Sequence, residues 1–153
     1  MAENPRDPIF DPFVPRRYLR NRHAMTLAGN FLRRKNKLPP PEESLYRVDT
    51  DTQVLCHCHW HADAERRATV IIVHGLEGSS LSQYVIGNSA KAWEAGMNVV
   101  RMNMRTCGGT GSLTPTLYHS GLSSDVGAVL RTVIEQRKIS RAGLIGYSMG
   151  GNL

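Results

Sequence analysis

A serine between two glycines, close to the last residue of the sequence, is the strongest chemical signal in the chain. Residues 146–150 read G-Y-S-M-G and match the pattern G-x-S-x-G around Ser148. The bare pattern is weak, because a chain of this composition contains a match by chance in roughly 10% of cases. Here the match follows the apolar pair Leu144-Ile145 and leads into residues 151–153, which predicts a strand, a sharp turn and a helix start. This setting indicates a serine nucleophile that is exposed at the end of a strand.

The neighbours of Ser148 have residue types that suit such a turn. Gly146 and Gly150 lack the Cβ atoms that would collide with the neighbouring strand and helix. The backbone N–H of Met149 is placed at the predicted helix start, where it can stabilise a developing oxyanion. The sequence therefore predicts an acyl-transfer site with Ser148 as nucleophile and Met149 as one oxyanion donor.

A second donor is expected from the loop after the first parallel strand. His74, Gly75 and Leu76 directly follow the β-branched run at residues 70–73, and we assign the N–H of Leu76 as this donor. The imidazole of His74 either braces the loop by hydrogen bonding or transfers a proton directly. We favour bracing, because the general base usually follows the nucleophile along the chain in this architecture.

The remaining pattern predicts the elements that position these residues. After residue 69, apolar runs alternate with helical segments, which is typical of a parallel sheet with helices on its faces. Prolines at 39–41 separate a basic arm with a short helix (1–41) from a partial α/β domain (42–153). Strands are predicted at 44–49, 53–60, 70–73, 97–102 and 142–146, and helices at 23–34, 84–95 and from a cap at Ser124 or Asp125 to about residue 138.

Several short motifs together resemble a known family. They are N-R-H-A-M-T at 21–26, H-G-L-E-G at 74–78, M-N-M-R at 102–105, Y-H-S-G at 118–121 and G-Y-S-M-G-G at 146–151. The set resembles the α/β-hydrolase superfamily and, within it, the YheT-like (ABHD1/ABHD3-related) hydrolases. One departure is Thr106, where many members carry glycine.

The resemblance implies the α/β-hydrolase fold, in which helices flank a mostly parallel sheet. It implies that this sequence contains the N-terminal half of that sheet and is truncated after the nucleophile turn. It also implies a carboxylic ester hydrolase of the esterase or lipase type with a Ser–Asp–His triad. Relatives act on medium-chain acyl esters or phospholipids, and some transfer acyl groups to alcohols. Of the triad, only Ser148 is carried over, and we expect the 153 residues alone to be inactive.

Local residues are poor substitutes for the missing triad members. Asp125 and His119 both precede Ser148, whereas the expected order is serine, acid, histidine. We therefore interpret Asp125 as a helix cap and His119 as a structural loop residue. A competing hypothesis is a truncated, non-catalytic fragment or binding module, because the sequence stops at Leu153.

The run C-H-C-H-W-H at residues 56–61 raises the question of a metal site. On a strand, His57, His59 and His61 share one face, but a fourth zinc ligand is not evident. We favour an antiparallel strand with a buried Cys/Trp face and a polar His face.

The glycine-rich segment at residues 108–111 raises the question of a phosphate-binding loop. It lacks the lysine of a phosphate-binding P-loop. Neither a metal nor a cofactor is predicted.

Charge and composition set the expectations for partners and location. The net charge of +6 lies entirely in residues 1–41, which carry nine Lys or Arg against three Asp or Glu. Such an arm either binds acidic lipid or nucleic acid, or packs on an acidic surface that the C-terminal part of the same protein supplies, which we favour. An ester substrate, and no nucleic acid, is the predicted partner. With no long apolar stretch, no secretory signal and an odd count of three cysteines, a cytoplasmic protein is predicted.

Overall fold

The computed structural model describes residues 13–31 and 36–153. The chain divides between residues 33 and 34 into two units. The first contains helix α1 (Arg22–Phe31). The side-chain oxygen of Asn21 accepts the N–H groups of His23 and Ala24 at 2.9 and 3.2 Å, which satisfies donors that a helix start leaves unpaired. The predicted end of this helix at residue 34 lies outside the described residues, and the domain boundary at residue 41 stays a prediction.

The second unit is built on a five-stranded mixed sheet. Its strands are β1 (Glu42–Asp49), β2 (Thr52–His59), β3 (Thr69–Val73), β4 (Asn98–Met102) and β5 (Ala142–Gly146), and their order in the sheet is β1-β2-β4-β3-β5. The three strands β4, β3 and β5 are parallel, and the hairpin β1–β2 adds two antiparallel strands at one edge. Every strand and helix predicted after residue 41 is confirmed, with ends within three residues. The helices of this unit are α2 (Gln83–Glu94), between β3 and β4, and α3 (Ser123–Arg137), between β4 and β5.

Strand β3 lies at the centre of the parallel part and is covered on both faces. Ile72 packs with Val85 of α2 on one face, and Ile71 packs with Val129 of α3 on the other. Burial on both faces explains why the β-branched run of this strand is unbroken. The carboxyl ends of β3 and β5 are adjacent, since Val73 pairs with Gly146. In open α/β sheets, ligands bind at this end of the strands, where neighbouring connections diverge.

The prediction that β2 has a polar face formed by its histidines, opposite a buried Cys/Trp face, is wrong. The strand is antiparallel as expected, but His57 and His59 are only 8% and 2% exposed. Arg101 of β4 hydrogen-bonds His59, and the ring of Trp93 on α2 meets the same imidazole edge-on. Ser80, in the loop before α2, lies 2.7 Å from Nδ1 of His57, so the connection from β3 to β4 buries this end of the His face.

The interpretation of Asp125 as a helix cap is also wrong. Helix α3 begins at Ser123, and no side chain caps its first turn. The Asp125 carboxylate is buried and accepts two hydrogen bonds from Arg105, from Nε and Nη2, both at 2.7 Å. This pair joins the loop after β4 to the first turn of α3.

Within the described ranges, every helix is too short or too polar to cross a membrane.

Candidate active site

The turn after β5 places Ser148 in an uncommon backbone conformation. Its φ is +50°, in the left-handed region that non-glycine residues rarely adopt. A single 3₁₀ turn, Ser148–Gly151, follows directly. Such strain costs on the order of 1 to 3 kcal/mol and is concentrated at functional sites. The predicted strand and sharp turn are thus present, and the predicted helix start is this 3₁₀ turn.

The two glycines of the motif lie where the backbone comes too close for a side chain. A Cβ atom on Gly146 would collide with the carbonyl oxygen of Gly150 and the Cα atom of Gly151. A Cβ atom on Gly150 would collide with the carbonyl oxygen of His74 and lie 2.8 Å from that of Val73. Gly150 therefore allows the turn after β5 to pack directly on the end of β3.

The loop after β3 contacts the Ser148 turn at Gly75. A Cβ atom on Gly75 would lie 3.3 Å from Cβ of Ser148 and 3.2 Å from the carbonyl oxygen of Tyr147. An open cleft of about 330 Å³ lies at this contact. The structure thus brings Leu76 and Ser148, assigned separately from the sequence, to one cleft. Its lining is Gly75, Leu76, Tyr84, Tyr147 and Ser148.

His74 is fully buried, and both of its ring nitrogens are hydrogen-bonded. Nδ1 lies 2.7 Å from the carbonyl oxygen of Gly75, and Nε2 accepts the backbone N–H of Met104 at 3.1 Å. The neutral tautomer with its proton on Nδ1 satisfies both bonds. Burial lowers the pKa of His74, against a smaller opposing effect of the bond to Gly75, and so favours this neutral form. The imidazole connects the loops that follow β3 and β4, and neither nitrogen is free to take a proton from Ser148.

The four amides of residues 75–78 differ in their hydrogen bonding. Gly75 and Glu77 donate to tyrosine hydroxyls, and Gly78 donates to the carbonyl oxygen of Gly75. Among the described residues, the amide of Leu76 has no acceptor. This amide belongs to a residue that lines the cleft beside Ser148. It is the one amide of this turn that the described residues leave available as a donor.

Two tyrosines that sequence reasoning left without a role contact this turn. The sequence pattern places Tyr84 only at the start of a helix, and Tyr118 only in the Y-H-S-G motif. For Tyr84 the sequence does contain a signal. This tyrosine lies at the start of the helix that follows the glycine-rich turn, close enough along the chain for its side chain to fold back onto the turn. For Tyr118 no local signal exists, because 41 residues separate it from its partner Glu77.

Asp125 and His119 lie away from the cleft at Ser148. Both line a separate small cavity that also contains Met104 and Leu153. Asp125 is engaged by Arg105, and this hydrogen bond is the main cause of the raised pKa of Arg105. In residues 13–31 and 36–153, no three His, Cys, Asp or Glu side chains are grouped to hold a metal ion.

Comparison with known proteins places these features among hydrolases. The profile of the family described as alpha/beta hydrolase fold matches residues 68–153. The chain is 32% identical over 141 residues to YheT of Escherichia coli (strain K12), a protein named as a candidate esterase. It is 31% identical over 94 residues to the phospholipase ABHD3 of Mus musculus. Among solved structures, XC6422 of Xanthomonas campestris, a serine hydrolase without a lid, is similar with a TM-score of 0.58 and 26% identity.

The matches cover much of this chain but only parts of its relatives. The YheT alignment includes 92% of this chain and 42% of YheT, and the ABHD3 alignment includes 61% and 23%. The XC6422 superposition includes 75% of this chain and 55% of that structure. The chain thus spans less than half the length of these two curated relatives.

Proposed function

Since the chain belongs to the alpha/beta hydrolase fold family, we propose that it carries the nucleophile of a serine hydrolase acting on carboxylic esters. One observation carries the proposal: Ser148, at a φ of +50° after β5, shares a cleft with Leu76, whose amide has no acceptor among the described residues. A nucleophile beside a preformed donor for a developing negative charge is the arrangement that acyl transfer requires. The esterase and phospholipase names of the relatives agree with this chemistry.

The proposed reaction proceeds through an acyl-enzyme. The Ser148 hydroxyl attacks the ester carbonyl, and the amides of Leu76 and Met149 stabilise the resulting oxyanion. The alcohol then leaves, and water attacks the acyl-enzyme to release the carboxylic acid. The proton of Ser148 passes to a histidine that is oriented by an acid; in the described part of the chain no histidine hydrogen-bonds the Ser148 hydroxyl. His74 is excluded from this role by its two hydrogen bonds.

The substrate class that we propose is an acyl ester or lipid, with medium-chain esters included. Two tyrosine rings, Tyr84 and Tyr147, form apolar parts of the cleft, and Leu76 is 62% exposed at its mouth. These groups suit an acyl chain better than a charged substrate. The same acyl-enzyme would serve an acyltransferase if an alcohol replaced water as the acceptor.

Besides the favoured packing on an acidic surface of the same protein, a second candidate role for the basic arm is contact with a membrane surface. Residues 13–31 carry four arginines and no Asp or Glu, together with exposed Phe13, Tyr18 and Leu27. Basic and apolar side chains on one short segment favour adsorption to anionic lipid. Such a contact would bring the enzyme to lipid esters without a membrane-spanning helix.

The test is covalent labelling of the full-length protein with a fluorophosphonate probe. We expect labelling of the wild type and none of Ser148→Ala, because the probe reacts with an activated serine hydroxyl. Ser124→Ala, which removes an exposed hydroxyl on α3, is the matched control and is expected to label normally. Labelling that persists in Ser148→Ala would overturn the proposed nucleophile.

A further inference from the structure

The turn at residues 75–78 is held by two tyrosine hydroxyls from different parts of the chain. Tyr84, in the first turn of α2, accepts the amide of Gly75 at 2.9 Å. Tyr118, in the long loop between β4 and α3, accepts the amide of Glu77 at 2.9 Å. The two hydrogen bonds lie on either side of Leu76, whose own amide is left without an acceptor among the described residues.

Tyr84 connects this turn to the residue before Ser148. A Cβ atom on Gly78 would lie 2.8 Å from the Tyr84 hydroxyl, so the hydroxyl occupies the inside of the turn. The ring of Tyr84 packs against the ring of Tyr147, with 4.7 Å between the centroids. A single side chain therefore contacts both segments that meet at the cleft, and the glycine at 78 makes room for it.

Tyr118 holds the other end of the turn, where the backbone is strained. Glu77 has a φ of +53°, which a non-glycine residue adopts only when surrounding contacts maintain it. The ring of Tyr118 packs on the buried core that also contains Met104 and Val126, so its hydroxyl is offered from a fixed position. Hydrogen-bonding the Glu77 amide to this hydroxyl stabilises the strained conformation.

We propose that Tyr84 and Tyr118 are positioning residues that together fix the Leu76 amide for oxyanion binding. The inference rests on the proposed function, and it adds two side chains that act through Leu76 without touching substrate. A donor stabilises a developing charge best when it is already oriented and need not reorganise during the reaction. The Leu76 N–H belongs to the Gly75–Leu76 peptide, whose carbonyl oxygen accepts the N–H of Gly78. The two tyrosine hydroxyls hold the peptides on either side of it, so this peptide plane has little freedom to turn away. No proton is transferred by either tyrosine.

The catalytic test uses Tyr84→Phe and Tyr118→Phe in the full-length protein with a short-chain p-nitrophenyl ester. Each variant removes one oxygen atom and keeps the ring in place. We expect kcat to fall about tenfold in each, because a donor that is loosened but not removed costs less than the 10²–10³-fold loss of a deleted one. KM should stay within about twofold, since the ground-state ester gains little from the oriented amide.

A transition-state analogue separates positioning from a general loss of structure. An alkyl boronic acid forms a tetrahedral adduct with the serine and places an oxygen at the oxyanion site, so its affinity should fall by the same factor as kcat. Tyr46→Phe is the matched control, because its hydroxyl pairs with Sγ of Cys58 in the core between β1 and β2, away from the cleft. We expect this control to keep wild-type kcat and boronic acid affinity.

Hydrogen exchange tests the two hydrogen bonds without relying on catalysis. Peptides covering residues 74–82 should exchange about tenfold faster in both tyrosine variants and unchanged in Tyr46→Phe, since loss of one hydrogen bond favours local opening. Unchanged kcat and boronic acid affinity in both variants, unchanged exchange of this loop, or a rise in KM alone would each overturn the inference. Failure of the proposed function would appear separately, as labelling of Ser148→Ala.

Discussion

Gly150 shows how a single side-chain atom controls the geometry at Ser148. The turn after β5 lies against the carbonyl oxygens of Val73 and His74, at the end of β3. Main chain cannot move aside as a flexible side chain can, so a Cβ atom at this position must displace one of the two segments. The same two segments carry Ser148 and Leu76, and their separation defines the cleft. Space at residue 150 is therefore a condition for the site itself.

We predict that Gly150→Ala destabilises the full-length protein by about 3 kcal/mol, because overpacking against backbone forces the chain to shift. Fluorophosphonate labelling should be lost in the same variant. Gly111→Ala is the control, since its Cβ atom would have open space, and should change the free energy of unfolding by less than about 0.5 kcal/mol. Urea unfolding measures both, and an unchanged midpoint for Gly150→Ala would contradict the packing described for this turn.

Thr106 illustrates backbone strain at a second residue. Its φ of +62° lies in the left-handed region, where a β-branched residue is a rare occupant. Glycine adopts this conformation without a steric penalty. The conformation thus accounts for the glycine that the family resemblance leads one to expect after Arg105.

At the scale of elements, Arg105 joins three parts of the fold. Its guanidinium donates twice to Asp125 on α3 and, through Nη1, to Thr116 in the preceding loop at 2.7 Å. A carboxylate oxygen of Asp49, at the end of β1, lies 3.6 Å from Nη2. Arg105 and Asp125 are both buried, so their charges depend on each other. The bidentate geometry makes the pair specific as well as strong.

Replacing Asp125 by Asn should lower the free energy of unfolding of the full-length protein by about 3 kcal/mol. The neutral amide leaves the buried charge of Arg105 without its main partner, which is the costly way to break a buried ion pair. Glu94→Gln breaks the exposed ion pair with Lys37 and should cost about 0.5 kcal/mol or less. Equal urea midpoints for the two variants would show that the Arg105–Asp125 pair does not stabilise the fold in this way.

At the scale of the whole molecule, the sheet contains a buried positive charge without a carboxylate. Arg101 is 1% exposed and donates to the carbonyl oxygen of Ser80 at 2.7 Å. Its Nη2 lies 3.2 Å from Nε2 of His59, and in the described part of the chain no acid forms an ion pair with it. Protonating His59 would place a second positive charge beside the first. Burial, with Arg101 as the next cause, lowers the pKa of His59 to about 4.

This cluster predicts that stability falls as the solution becomes acidic. In the unfolded chain His59 binds a proton near its ordinary pKa of about 6.5, whereas in the folded protein its pKa is about 4. Between these values the unfolded state binds more protons, so the contribution of His59 to stability is complete above pH 6.5. It is lost progressively toward pH 4, by up to about 3 kcal/mol.

Urea unfolding of the full-length protein at intervals from pH 4 to pH 7 measures this loss. Burial also lowers the pKa values of His57 and His74, so they add to the decline in any variant that retains them. His59→Gln keeps an acceptor for Arg101 but does not titrate, and its stability should fall less steeply than that of the wild type. Parallel curves for the two proteins would rule out His59 as a source of the acid sensitivity.

The sequence by itself determined those features that depend on residues close together in the chain. The order and type of the strands and helices follow from apolar periodicity, and the strand with its sharp turn at Ser148 follows from the G-x-S-x-G motif. The requirement for glycine at positions 146 and 150 was predicted for the same reason. Backbone sterics and periodic burial act over a few residues, so they leave a readable pattern.

Only the tertiary structure decided which distant groups meet. The connection from β3 to β4 buried the histidine face of β2, and the chain path after β4 brought Arg105 to Asp125, which local sequence had suggested as a cap. The hydroxyls of Tyr84 and Tyr118 reach residues 75 and 77 because the crossover connections return the chain to the same edge of the sheet. A side chain's partner across such a connection depends on the packing of the whole sheet, and no spacing along the chain encodes it.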